Sequence, residues 1–194
     1  MTKSHFCEME VIVGENKVLS TLIEIENCKH PGINIQGFLI DADDIIIEER
    51  VKMNCFYCGK YKNNWKCPPN IPNIDVKTLF KEYEHIAMIY VTLLLDNKNF
   101  EEIRSESSII LHRALLDCEK SLWEMNNSTA ISFIGGSCKL CKNGCGTERC
   151  NNPYLARSPV EALGINIIDS IKKYGLDIMF PPKKEITRVG MLLW

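Results

Sequence analysis

The stretch His85-Ile-Ala-Met-Ile-Tyr-Val-Thr-Leu-Leu-Leu95 is an unbroken apolar run with β-branched content. It falls well short of the roughly 20 residues that span a bilayer, and it reads as a buried strand. Downstream, Phe100 to Met125 reads as a long amphipathic helix, because Leu111, Leu115, Cys118, Leu122 and Met125 follow the spacing of one helical face. On the same helix His112 sits one residue off the stripe, which predicts a half-exposed structural role. Thr129 to Ile134 reads as a second, short buried strand, running into a Gly135-Gly136 bend. In Arg157-Ser158-Pro159-Val-Glu161, Ser158 is placed to be an N-cap, Pro159 the first helical residue and Glu161 the far side of a capping box, with Gly164 ending the turn. Asn166 and Asp169 can cap a further helix to Tyr174, stopped by Gly175, and Glu185 to Trp194 reads as a last strand. The first fifty residues read as one or two strands and a helix. Together these give an α/β or α+β class: one domain over residues 1–194, built on a mixed β-sheet with flanking helices and two cysteine-rich loops.

Composition narrows the function classes. The chain is 45 % hydrophobic and 25 % charged, with a formal net charge of −2, so no overall electrostatic drive toward nucleic acid exists. No apolar run predicts a membrane span, and Met1 to Lys17 lacks the apolar core of a secretory signal, which makes the cytoplasm the expected location. Neither a glycine-rich phosphate loop nor a nucleophile elbow is present.

The anomaly is ten cysteines. In a reducing compartment such residues are more often metal ligands or reactive thiols than disulfides. Seven of the ten fall into two groups. Cys138-x2-Cys141-x3-Cys145-x4-Cys150, with Pro153 after it, places four thiols close enough in sequence to converge on one centre unaided. The spacing is near the compact bacterial ferredoxin run, looser by one residue in each of the last two gaps. A tetrahedral zinc site usually takes two C-x2-C knuckles set further apart, and here only Cys138 and Cys141 form one. Gly136, Gly144 and Gly146 leave room for backbone amides to reach the sulfurs. Cys55-x2-Cys58, followed by Cys67-Pro68-Pro69, supplies three further thiols. A fourth ligand from Cys28, His30 or Cys7, an open position on a cluster iron, and a zinc site completed by a remote residue are all compatible with three. A redox pair of Cys55 and Cys58 fits less well, since that motif normally opens a helix after a strand and the Cys67-Pro68-Pro69 continuation does not suit it. From Lys52 to Cys67 there are four lysines and no acid, which suits thiolates and an anionic centre. Of the remaining cysteines, Cys118 reads as core and Cys7 as free. Tyr61 and Trp65 either shield the first group from solvent or pack its loop.

These motifs resemble a family of uncharacterised "predicted metal-binding" proteins of anaerobic bacteria and methanogenic archaea. The matching residues are Cys55-x2-Cys58…Tyr61-x3-Trp65-x-Cys67-Pro68-Pro69 with the strand after it, then Gly136-x-Cys138-x2-Cys141…Cys145…Cys150-x2-Pro153, then Ala156-Arg157-Ser158-Pro159-x-Glu161-Ala162-x-Gly164-Ile165. They cover roughly residues 50 to 175. Where members tend to carry Arg-Pro-Ser, this chain reads Arg157-Ser158-Pro159. The resemblance implies metal binding and iron–sulfur content, and no established reaction.

The expectation is an iron–sulfur protein in electron transfer or a small redox reaction, with a redox partner protein or a small-molecule substrate. Cys138, Cys141, Cys145 and Cys150 would hold a [4Fe–4S] cluster, and Cys55, Cys58 and Cys67 a second one. An iron–sulfur oxidoreductase follows if the second cluster keeps an open iron. A zinc-stabilised binding module without redox chemistry, and a metal carrier or cluster assembly factor, are the rival classes.

Overall fold

A computed structural model describes residues 16–95 and 99–194. Four strands, β1 (Asn34–Leu39), β2 (Ile86–Leu94), β3 (Ile131–Phe133) and β4 (Glu185–Leu193), form one sheet in the order β1-β2-β4-β3. β2 is central. It registers with β1 on one side, Ile35 opposite Val91, and with β4 on the other, Met88 opposite Met191. Its continuous apolar run is explained by what covers it. Ala87, Ile89 and Val91 face one hydrophobic cluster with α1 (Lys17–Lys29) and α4 (Phe100–Glu124). Ile86 and Met88 face a second cluster with α3 (Val76–Lys81) and α5 (Ile167–Lys172). A strand apolar on both faces needs a layer on both faces, and this sheet has them.

The class is α+β, and the strand pairs are antiparallel throughout. The parallel component of the expected mixed sheet is confined to one isolated bridge, Ile134 with Pro159. The reason lies in the chain order. β2 and β3 run the same way and are joined through α4, as in a parallel crossover unit, but β4 lies between them, antiparallel to both.

On α4 the expected stripe is buried at Leu111, Leu115, Cys118 and Leu122, whereas Met125 is exposed, because the helix ends at Glu124 and Met125 is its cap. His112 is fully buried rather than half-exposed. The expectations for Cys7, as a free thiol or as a fourth ligand of the first group, fall outside the described residues. No helix among the described residues is long and apolar enough to cross a membrane.

The helix expected after Arg157 is a 3₁₀ turn, Val160–Leu163, begun by Pro159 instead of being capped by Ser158. The capping box does not form, because its groups are used elsewhere. Ser158 lies one residue outside the turn, its carbonyl accepting from Ile134 N at 3.0 Å, and the Glu161 carboxylate is turned to Gly136 N, from which it accepts at 3.1 Å. Gly164 ends the turn at φ 86°, a left-handed conformation suited to glycine.

Candidate metal centre

The first cysteine group is carried by a helix with no apolar stripe. α2 (Glu49–Tyr57) buries no residue, and it is placed by its base. Glu48 N donates to Gly164 O at 2.8 Å and Asn166 N donates to Ile46 O at 2.8 Å. Asn166 Nδ2 also donates to Glu48 Oε2 at 2.8 Å. α2 therefore stands on the Val160–Leu163 turn, which brings Cys55 into the electrostatic reach of Glu161. Cys58 is the C-cap of α2. The C-x-x-C pair thus closes a helix, where the dipole disfavours a thiolate, rather than opening one, where it would help. That geometry argues against a thioredoxin-like pair.

After Cys58 the chain makes a tight loop that buries Cys67. Asn64 is its organising residue and is itself buried. Its carbonyl accepts from Cys67 N at 3.1 Å, its Oδ1 accepts from Lys66 N at 2.9 Å, and its Nδ2 donates to the Cys138 carbonyl at 3.2 Å. Trp65 Nε1 donates to the Gly146 carbonyl at 2.7 Å. Two side chains of the first loop therefore fasten it to the second. The Tyr61 ring packs against Phe56 at a tilt of 58°, with ring centroids 4.9 Å apart.

The second group leaves β3 through Gly135 and Gly136. A Cβ on Gly135 would sit 2.1 Å from the Val189 carbonyl, so only glycine fits against β4 at this point. Gly136 has φ 76°. Cys138 packs at the margin of the hydrophobic core, whereas Cys141, Cys145 and Cys150 follow in irregular backbone. Asn152 Nδ2 donates to Cys141 Sγ at 3.1 Å. The far end of this arm is clamped to α4. Arg157 makes a two-pronged ion pair with Glu119, Nε to Oε1 at 2.7 Å and Nη2 to Oε2, and Glu119 is wholly buried. Ser132 N also donates to Glu119 Oε1, at 2.6 Å.

Cys138, Cys141, Cys145 and Cys150 all line one cavity of ≈ 620 Å³. Its other walls come from both arms and from α4, and they carry Lys60, Lys66, Arg113, Lys139 and Lys142 with no carboxylate. Burial raises the Cys138 thiol pKa, with Cys145, Cys150 and Cys141 adding to the rise. In the first group burial pushes Cys55 up to about 11 and Cys67 up to about 12, and neighbouring thiols and Glu161 add to both. Thiols that oppose one another's ionisation in this way bind as thiolates only when a cation compensates them. Cys138 is among the groups acting on Cys67, so the two cysteine groups are neighbours. Among the described residues, no three His, Cys, Asp or Glu side chains close on the geometry of a single metal ion.

Cys28 and His30, the candidate fourth ligands, lie on another element than the first group. Both sit at the end of α1, where Cys28 is exposed and His30 lies 3.9 Å from Glu26. Glu161, Asn64 and Asn152 are the surrounding polar residues that sequence reading misses. Glu161 is visible in sequence only as a helix-start signal, and nothing in the pattern marks the two asparagines.

The model of the family described as "predicted metal-binding protein" (DUF2284) matches residues 38–194. The chain belongs to this family. The DUF2284 match starts inside β1 and takes in the rest of the sheet and both cysteine arms, leaving α1 outside it. No curated protein and no solved structure matches the chain. For a DUF2284 protein the donor set fits a metal group: seven thiols on the end of α2 and the two loops beside it, four of them on one cavity ringed by cations.

Proposed function

We propose that this DUF2284 protein is an iron–sulfur protein acting in electron transfer or a small redox reaction. Cys138, Cys141, Cys145 and Cys150 would hold a [4Fe–4S] cluster, and Cys55, Cys58 and Cys67 a second cluster. The observation that carries this reading is the cavity of ≈ 620 Å³, lined by four thiols and five cationic side chains and no acid. A cavity of that size suits a bulky inorganic core better than a single tetrahedral ion, and a cluster held by thiolates is anionic, which the ring of lysines and arginine would balance. When bound, such clusters supply one-electron chemistry. The chain's own residues orient the ligands: Asn152 donates to Cys141 Sγ, and Asn64 and Trp65 lock the two arms together. Donors to sulfur tune the potential of a cluster.

The two groups differ in access. Cys67 is buried while Cys58 is exposed, which favours the first group as the place where a substrate or a partner would meet metal.

The test is to purify the protein without oxygen and count iron, sulfide and zinc beside a visible spectrum. About eight irons and eight sulfides per chain are expected for two cubanes. A colourless protein with stoichiometric zinc would sink the reading. Cys67→Ser should then reduce only the first centre; loss of both would mean that the two groups share one site.

A further inference from the structure

A separate cavity of ≈ 350 Å³ lies between β4, the turn after Gly164 and the segment from Ile178 to Pro182. None of the seven site cysteines lines it. Most of its wall is apolar, including Ile165, Ile178 and Val189, and it carries three charged side chains, Arg104, Glu161 and Arg188.

Arg188 is the unusual member. Its Nε is buried and has no hydrogen-bond partner among the described residues. Among the described residues its guanidinium makes one long hydrogen bond, Nη2 to the Arg104 carbonyl at 3.4 Å, near the limit at which a hydrogen bond counts. The group is pressed onto the glycine turn, since a Cβ on Gly136 would meet Nη1 at 3.0 Å. A guanidinium carries five donors in a fork matched to a carboxylate. Holding the buried Nε without a partner is unfavourable.

The surrounding charge leaves room for an anion. Burial and the neighbouring Arg104 both oppose the Arg188 charge, and Glu161 favours it. Glu101 pairs with Arg104 at 3.3 Å, and the Glu161 carboxylate accepts from Gly136 N, so neither reaches the bare Arg188 Nε. A single guanidinium with a donor to spare fits a monoanion. A dianion such as phosphate would face Glu161 and leave the apolar walls unmet.

We propose that this cavity binds a small organic monoanion, a carboxylate with an apolar body, whose carboxylate is taken by Arg188 and whose body lies against Ile165, Ile178 and Val189. The volume falls in the range of small-molecule sites. The position gives the ligand a neighbour. Val51, one turn before Cys55 on α2, lines the cavity, and Glu161 is shared between the cavity wall and the surroundings of Cys55 and Cys67. The bound molecule therefore sits beside the first cysteine group. The inference holds whichever metal those cysteines take.

Equilibrium dialysis of the full, metal-loaded protein against radiolabelled benzoate tests it, with isovalerate, benzamide and inorganic phosphate as competitors. Saturable binding of one benzoate per chain is expected, displaced by isovalerate and not by benzamide or phosphate. Arg188→Gln should weaken it by about tenfold or more, and Arg104→Gln, an exposed substitution on α4, by a smaller factor. Metal content is measured on every sample, so that loss of the centre is told apart from loss of the anion site. Absence of saturable benzoate binding, equal competition by benzamide or phosphate, or affinity unchanged in both variants would overturn the proposal.

Discussion

His112 is a group whose protonation is written into its surroundings. It is 1 % exposed, and its Nε2 lies 3.0 Å from the Leu155 carbonyl. A carbonyl only accepts, so Nε2 carries the proton. Burial lowers the pKa to about 4, with Arg157 adding to the drop. An unfolded histidine titrates near 6.5, so below that value the unfolded chain takes up a proton that the native chain refuses. Stability therefore falls as pH drops from about 6.5 toward 4. Between pH 7 and pH 5 the loss from this one group is on the order of 2 kcal/mol. Denaturant unfolding of the wild type and of His112→Gln at those two pH values checks it: the variant should lose less stability by about that amount, and equal losses would acquit His112. The same residue shows how far sequence reading reaches. Cysteine identity and spacing are local facts, so both thiol groups are visible in the chain as written. The polar residues around those thiols, Asn64, Asn152 and Glu161, and the burial of His112 under Leu155 are set by contacts between segments far apart in sequence, and no periodicity encodes them.

At the scale of elements, legibility follows the length of the apolar pattern. β2 and α4 are long and strongly patterned, and both stand where the sequence puts them. α2 is nine residues with no buried side chain, so no stripe announces the helix that carries Cys55. Strand direction is equally silent, because the insertion of β4 between β2 and β3 is a pairing of the chain's last segment with its middle. That insertion rests on Gly190. A Cβ there would lie 2.6 Å from Leu115 Cδ1 and 2.8 Å from the Phe133 carbonyl, so α4 and β3 close onto β4 only because the position is bare. Gly190→Ala should destabilise the protein by about 1–3 kcal/mol through overpacking, whereas Met125→Ala, at the exposed end of the same helix, should stay within about 0.5 kcal/mol. Chemical unfolding of the two variants reads both. A neutral Gly190→Ala would show that α4 can retreat from the sheet without cost.

The whole molecule divides into a core packed from the sheet and its helices and two cysteine-bearing arms of irregular backbone. Both hydrophobic clusters are built from the sheet and its helices, and of the seven site cysteines only Cys138 packs against either. The arms, over residues 58–72 and 137–156, contain no regular helix or strand. Protein contacts hold them at a few points: Asn64 to Cys138, Trp65 to Gly146 and His112 to the Leu155 carbonyl, with the Arg157–Glu119 pair clamping the chain just after the second arm. Metal binding contributes folding free energy where a site is otherwise loosely organised, and protection from exchange follows local stability, not the global value. Stripping metal from the anaerobically purified protein with a chelator should therefore leave amide protection in β2 and β4 intact while residues 58–72 and 137–156 exchange faster. Hydrogen exchange read by mass spectrometry on loaded and stripped protein separates the two regions directly. The expected result is a change confined to the arms, because no strand backbone is paired to them and the core clusters close without them. Loss of protection in β2 and β4 together with the arms would instead mean that the metal centres hold up the sheet, and that the seven thiols belong to the fold's stability as much as to its chemistry.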